Sequence, residues 1–240
     1  SGGVNLDIDF GYVANQCLPT IDFESDPLGN LLVKGQVIDN EYAGWGINVS
    51  ATANSGGTGP AMIFDSAAPS GGDSDLGTPN QSFSGPGVGG GGAAGMPGKN
   101  SVPLGKILII SEDGSSSNPD DAGNGGVLKF TFTQPLRVDQ VQILDIDNDE
   151  AGGTVKAYNA TSGGTLLATG HMLGLGDNSF QIVPLNATGV RRLEITFPGS
   201  GAVPAITFCG TPPTLYTLGD RIWHDTNEDG QQDNGEPGIA

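Results

Sequence analysis

The densest chemistry in this chain lies in the segment 225–236, which reads Asp225-Thr226-Asn227-Glu228-Asp229-Gly230-Gln231-Gln232-Asp233-Asn234-Gly235-Glu236. With Asp225 as position 1, side-chain oxygens fall at positions 1, 3, 5, 9 and 12, and a glycine stands at position 6, where the chain must turn sharply. Calcium is a hard cation that takes about six to eight oxygen ligands. The spacing supplies them: Asp225, Asn227 and Asp229 from side chains, Gln231 through its carbonyl, Asp233 directly or through a water, and Glu236 through both carboxylate oxygens. The flanks are not those of an EF-hand. Leu218-Gly219-Asp220-Arg221-Ile222-Trp223 reads as a strand, and Pro237-Gly238-Ile239-Ala240 carries no helical pattern.

Further carboxylates cluster in the middle of the chain: Asp22 with Glu24, Asp65 with Asp73 and Asp75, Glu112 and Asp113 with Asp120 and Asp121, and Asp145 with Asp147, Asp149 and Glu150. Asp73-Ser74-Asp75 and Asp145-Ile146-Asp147 alternate so that an extended chain would place two carboxylates on one side, an arrangement suited to calcium. Solvated turns would explain any one cluster equally well. Asp73 and Asp75 are the leading candidates for a central site.

Enzyme chemistry finds little support. The chain has two histidines, His171 and His224, with no His-Glu-x-x-His, no Gly-x-Ser-x-Gly elbow and no reactive-cysteine signature. A pair of carboxylates suffices for glycoside hydrolysis, so that class stays open as the third reading. Carbohydrate binding, the second reading, wants accessible aromatic rings, and Tyr42-Ala43-Gly44-Trp45 offers Tyr42 and Trp45.

These groups must be positioned by a chain of 240 residues with 9 basic and 27 acidic side chains, a net charge of −18. Such a field repels phosphate backbones and anionic bilayers, which argues against nucleic acid and membrane surfaces as partners, and it favours cations among the carboxylates. No apolar run is long enough to span a bilayer, and Ser1-Gly2-Gly3 lacks the features of a signal peptide, so the chain reads as an internal or processed piece. Its two cysteines, Cys17 and Cys209, bracket the centre. Paired, they would close a loop of about 190 residues and stabilise the fold by about 4–5 kcal/mol in the chain-entropy model; two independent buried thiols are the alternative.

Short apolar runs punctuated by 41 glycines and 16 prolines imply strands and tight turns rather than disorder. The segment 21–24 alternates Ile21 and Phe23 with Asp22 and Glu24, which predicts a half-buried strand. Similar runs occupy 46–53, 61–64, 107–110, 127–133, 138–146, 154–158, 180–183, 192–197 and 205–208. The run 138–146 is apolar on both faces and predicts a central strand. No sustained helical period appears, and 65–102 is a long irregular excursion containing a glycine run. The expectation is an all-β, two-sheet jelly-roll sandwich.

The ends carry a resemblance. The stretch from Gly219-Asp220-Arg221-Ile222-Trp223 through Asp233-Asn234-Gly235-Glu236-Pro237-Gly238-Ile239 resembles the opening of an SdrD B-type repeat, a calcium-binding β-sandwich of bacterial surface adhesins, and Asp7-Ile8-Asp9-Phe10-Gly11-Tyr12-Val13 is similar to its closing strand. The order is inverted, closing strand first. The chain is therefore either cut from a tandem array or one whose neighbouring copies exchange strands into a filament. The centre more loosely resembles jelly-roll modules of secreted bacterial proteins that hold a structural calcium and in some cases bind carbohydrate. The resulting expectation is a closing strand at 1–14, a jelly-roll domain at 15–213, and an opening strand with calcium loop at 214–240. The role implied is a calcium-stiffened structural or adhesive module at the bacterial cell surface, with neighbouring copies or repeats as partners and a polysaccharide as a further candidate.

Overall fold

A computed structural model describes residues 18–54, 59–80 and 95–208, together with the backbone of a short strand pair at 222–223 and 238–239. The segment 1–14, both Cys17 and Cys209, and the loop 225–236 lie outside the described residues.

The chain separates into two compact units, Ser1–Gly210 and Thr211–Ala240. In the first, nine strands join one antiparallel sheet: β1 (Ile47–Ala53), β2 (Ala61–Asp65), β3 (Lys106–Ile110), β4 (Gly126–Ile146), β5 (Thr154–Tyr158), β6 (Leu166–His171), β7 (Gly176–Phe197), β8 (Ala202–Val203) and β9 (Ile206–Phe208). In the second, β10 (Ile222–Trp223) pairs antiparallel with β11 (Gly238–Ile239). No helix among the described residues is long and apolar enough to cross a membrane.

The sheet is organised by two long strands. β4 and β7, 21 and 22 residues, pair along nearly their whole length, and between Thr131 and Gln140 their register shifts three times. The first shift leaves three extra residues on β4 and the next two leave one extra residue each on β7, which bends the ladder and lets prolines sit in it. Pro135 and Pro184 fall in this region, as do Asn186 and Gly189 with positive φ. The bend lets β4 serve two sets of neighbours. Its first half pairs with β1, from Ile47 opposite Phe132 to Ala53 opposite Gly126, and its second half pairs with β9 and β8. Sequence reading divided each of these strands in two, at residues 134–137 and 184–191. The structure keeps them continuous, because a bulge absorbs a proline that would end an unbulged central strand.

Alternation then fills the main core. Along β1, Ile47, Val49 and Ala53 face inward, joined by Leu128, Phe130 and Phe132 of β4, Val155 and Ala157 of β5, and Leu193 and Ile195 of β7. Ile21 and Phe23 are buried with them, as alternation predicts, but the segment forms only isolated bridges (Ile21 to Ile206, Ser25 to Leu31), and Phe23 adopts φ +61°.

The region of β2, β3, β8 and the end of β4 is buried on both faces. Ile63, Leu108, Ile143 and Val203 point into the main core, while Met62, Phe64, Ile107, Ile109, Leu144 and Ala202 point the other way into a second, smaller one. That second core is closed by Leu76, fully buried, which is carried by the 65–102 excursion on a single 3-10 turn at Ser74–Leu76. The described part of this connection, up to residue 80, is therefore a cover over the back of the sheet, fastened by an apolar side chain that directly follows Asp73-Ser74-Asp75.

Candidate metal centre

Asp73 and Asp75 do not share a site. Because Ser74–Leu76 is a 3-10 turn rather than extended chain, their carboxylates diverge, which corrects the expectation drawn from their alternation. Each joins a different group of three. Asp73 meets Asp120 and Asp121; Asp75 meets Asp145 and Asp177. Within each group, one carboxylate oxygen per residue lies within 4.8 Å of the others. Two oxygens on one calcium at about 2.3–2.6 Å stand at most about 4.6–5.2 Å apart, so both groups have dimensions that could hold a metal ion.

The first group is set by the chain on the far side of β3. Asp121 bridges back to Ser111, is 6% exposed, and accepts the Gly201 N–H on Oδ2 at 2.8 Å; Asp73 Oδ2 in turn accepts the Asp121 N–H at 2.9 Å. The contact from Gly201 requires glycine. Its φ is +144°, and a Cβ there would stand 2.8 Å from the Phe197 ring.

The second group sits where β4 ends against the start of β7. The register shifts between Leu144 and Ile146, leaving Asp145 at φ +64° and, across the ladder, Asn178 at φ +60°. Two non-glycine residues in the left-handed region at one point mark a locally constrained backbone. Asp145, 3% exposed, accepts the Asn178 N–H on Oδ1 at 2.6 Å and the Ser200 hydroxyl on Oδ2 at 2.7 Å. Asp177 Oδ1 is buried and has no hydrogen-bond partner among the described residues. The Ser200-Gly201 turn touches both groups, Ser200 through Asp145 and Gly201 through Asp121. Glu150 stands beside it, accepting the Ser200 N–H at 3.2 Å.

The electrostatics all run one way. Burial, and then Asp121's neighbour Asp73, pushes the Asp121 carboxyl well up. Asp73 is pushed up to about 7 by burial, with Asp120 and Asp75 adding to it. Asp145 rises to about 6 through burial and then Asp75, and Asp177 to about 6 through burial and then Asp145. Burial raises Asp75 and Asp120 as well, with Asp177 and Glu112 as their leading charged neighbours. No cation offsets these carboxylates: the ion pairs among the described residues are Lys106 with Asp65, Arg137 with Asp139 and Arg192 with Glu194. Buried charge of one sign is expensive unless paired or metal-bound. The donor set is hard oxygen without nitrogen or sulfur, which suits calcium or magnesium and not zinc. The orphaned Asp177 oxygen is what a bound cation would satisfy.

Other residues singled out by type are placed as follows. Asp65 is in its ion pair with Lys106 rather than beside Asp73 and Asp75. Asp22 Oδ1 accepts the Glu24 N–H within a local turn, and Glu24 Oε1 accepts the Lys106 N–H at the start of β3, so neither joins a carboxylate group. Tyr42 is 1% exposed, edge-on to Phe23, with its hydroxyl donating to the Ser25 carbonyl; Trp45 is half-buried against it at 5.9 Å between centroids. The flanking glycines do not open the Tyr42 ring to a ligand; it is core. His171 ends β6 on the surface. Sequence reading missed Asp177, because Gly176-Asp177-Asn178 looks like an ordinary turn before a strand.

No protein-family model matches this sequence, and no curated protein matches it.

Proposed function

We propose that this chain is a calcium-stiffened structural or adhesive module of a bacterial cell-surface protein, its nine-stranded sheet closing on itself as a jelly-roll sandwich. The observation that carries the reading is the pair of three-carboxylate groups that join the cover carrying Asp73 and Asp75 to the sheet, with no basic side chain paired to them among the described residues. Calcium in each group would cancel the repulsion and tie cover to sheet. A segment with SdrD B-like character at 214–240 would hold a further calcium through Asp225, Asn227, Asp229, Gln231, Asp233 and Glu236. The strand pairing of Ile222 with Ile239 and Trp223 with Gly238 supports a strand–loop–strand setting over a helical one. A Cys17–Cys209 disulfide fits an extracellular location, and the antiparallel bridge from Ile21 to Ile206 brings the two chain stretches leading to those cysteines side by side. Neighbouring repeats or copies of the same kind are the partners such a module implies.

Calorimetric titration and thermal melting with calcium and with chelator test the proposal. At calcium a hundredfold above Kd each site adds about 2.7 kcal/mol, so two central sites add about 5 kcal/mol. A domain of this size converts that into about 10–20 °C of melting temperature. A melt unchanged by chelation would refute it.

A further inference from the structure

One face of the sheet runs against the charge of the rest of the chain. β1, the first half of β4, the second half of β7, β5 and β6 lie side by side, and Lys129, Glu194 and Lys156 each stand between two buried core residues, so all three point outward. The register aligns them in one row that runs Ser50, Lys129, Glu194, Lys156, Thr169 across the five strands. The adjacent row on one side carries Arg192 and no other charge, and the row on the other side, which ends at neutral His171, carries none.

The single carboxylate of this face is already taken. Glu194 Oε1 accepts from Arg192 Nε at 2.8 Å, and Arg192 is held in place by donating to the Ala160 and Gly163 carbonyls and by stacking on Tyr158, 4.0 Å from the ring centre. Lys129 and Lys156 therefore flank a carboxylate whose charge is already balanced, and neither is in an ion pair among the described residues. Three basic groups and one acidic group give the face a net charge of +2 in a chain of −18, so the remainder carries −20.

We propose that this face docks on the acidic surface of a second copy of the chain. The inference rests on the reading of neighbouring copies as partners and supplies the surface through which they meet. Charge complementarity selects the orientation: two copies face to face would oppose +2 with +2, whereas this face against any other surface opposes +2 with part of a remainder of −20. The contact is therefore head to tail, and it repeats along a line or ring instead of closing as a two-fold dimer. At about 0.15 M salt the Debye length is about 8 Å, which screens the overall repulsion between two acidic bodies more than it weakens opposed charges in contact. Five strands about 4.8 Å apart, each offering about seven residues at about 3.4 Å, make a face of about 400 Å². That lies at the small end of interfaces, so a single contact is weak and gains from repetition. None of these residues belongs to either carboxylate group.

Sedimentation velocity on the full chain in excess calcium, at protein concentrations up to about 500 μM as a contact of this size requires, tests the surface. The expected result is a weight-average sedimentation coefficient that climbs with concentration past the dimer at about 0.15 M salt and stays at the monomer value at about 1 M, where the Debye length is about 3 Å. Lys129→Glu and Lys156→Glu, with melting temperatures kept, should each weaken association at least about tenfold. Lys99→Glu changes the net charge equally at an exposed position off this face and should leave it intact. A monomer under all conditions overturns the proposal, including one that binds poly-glutamate, which would give the face to a foreign acidic partner. So does association unaltered in Lys129→Glu, or lost equally in Lys99→Glu. Calcium uptake by calorimetry on the same samples reports on the metal sites separately, so a failure of this contact is distinguishable from a failure of the calcium reading.

Discussion

Asp145→Asn should change the sign of its effect on stability with calcium. In the calcium-free protein Asp145 is buried at 3% exposure and its carboxyl is raised from 3.8 to about 6. A group whose pKa is higher folded than unfolded contributes stability that is complete below its unfolded value and lost as pH rises through its folded one. At pH 8 the ionised form therefore costs the fold about two pH units, or about 3 kcal/mol at 1.36 kcal/mol per unit. Asparagine removes that cost with little disturbance. Its oxygen can keep the Asn178 N–H, its amide can donate to the Ser200 hydroxyl in place of accepting from it, and asparagine tolerates the φ of +64° better than other residues.

At about 2–4 °C per kcal/mol, Asp145→Asn should melt about 6–12 °C above wild type in chelator at pH 8, and the gap should shrink to under about 1 kcal/mol at pH 4. In millimolar calcium the order should invert, because the variant lacks a carboxylate ligand. The assay is differential scanning calorimetry across that pH range with chelator and with calcium. A variant that melts below wild type in chelator at pH 8 would refute the reasoning, since it would make the carboxylate a stabilising structural group in its own right rather than a waiting ligand.

Two further outcomes follow from the same architecture. Leu76→Ala, in a fully buried side chain of the second core, should cost about 2–5 kcal/mol in urea unfolding and weaken calcium binding by calorimetry, because it loosens the turn that carries Asp73 and Asp75; undiminished calcium affinity would separate the cover from the sites. Denaturing alkylation followed by intact mass should find no free thiol at Cys17 or Cys209, and two alkylated cysteines would remove the disulfide.

The strands were the most legible part of this sequence. β1, β2, β3, β5 and β9 fall where alternating or continuous apolar runs predict them, because each buries a face in the way that produces such runs. β6 was missed: Leu166-Leu167-Ala168-Thr169-Gly170-His171 is an edge strand, mostly exposed, with neither alternation nor a continuous core face. The metal groups were half legible. Asp73, Asp75, Asp120, Asp121 and Asp145 all belong to clusters visible in the sequence, but local spacing grouped Asp73 with Asp75 and Asp120 with Glu112. Which carboxylates meet is decided by a 3-10 turn and by the bulge at Asp145, two backbone events that hydrophobic periodicity does not report.

That pairing across distance is also what gives the cation its leverage. Neither half of either group is a site alone: Asp73 and Asp75 come from the cover, while Asp120, Asp121, Asp145 and Asp177 belong to the sheet side. Docking the cover buries Leu76 and at the same moment brings an unfavourable third carboxylate to each group. Burial of one leucine stabilises by about 1.5–3 kcal/mol, a gain of the same order as the cost of ionised Asp145 alone. Without an ion, the apolar and electrostatic contributions to closing the cover therefore oppose each other near balance at neutral pH. With an ion in each group they act together, and the free energy of binding calcium becomes free energy of closing the second core. Under the proposed calcium reading, a cover held in this way would be rigid at high calcium and loosen where calcium is scarce, with Asp73 and Asp75, both just ahead of Leu76, making the difference.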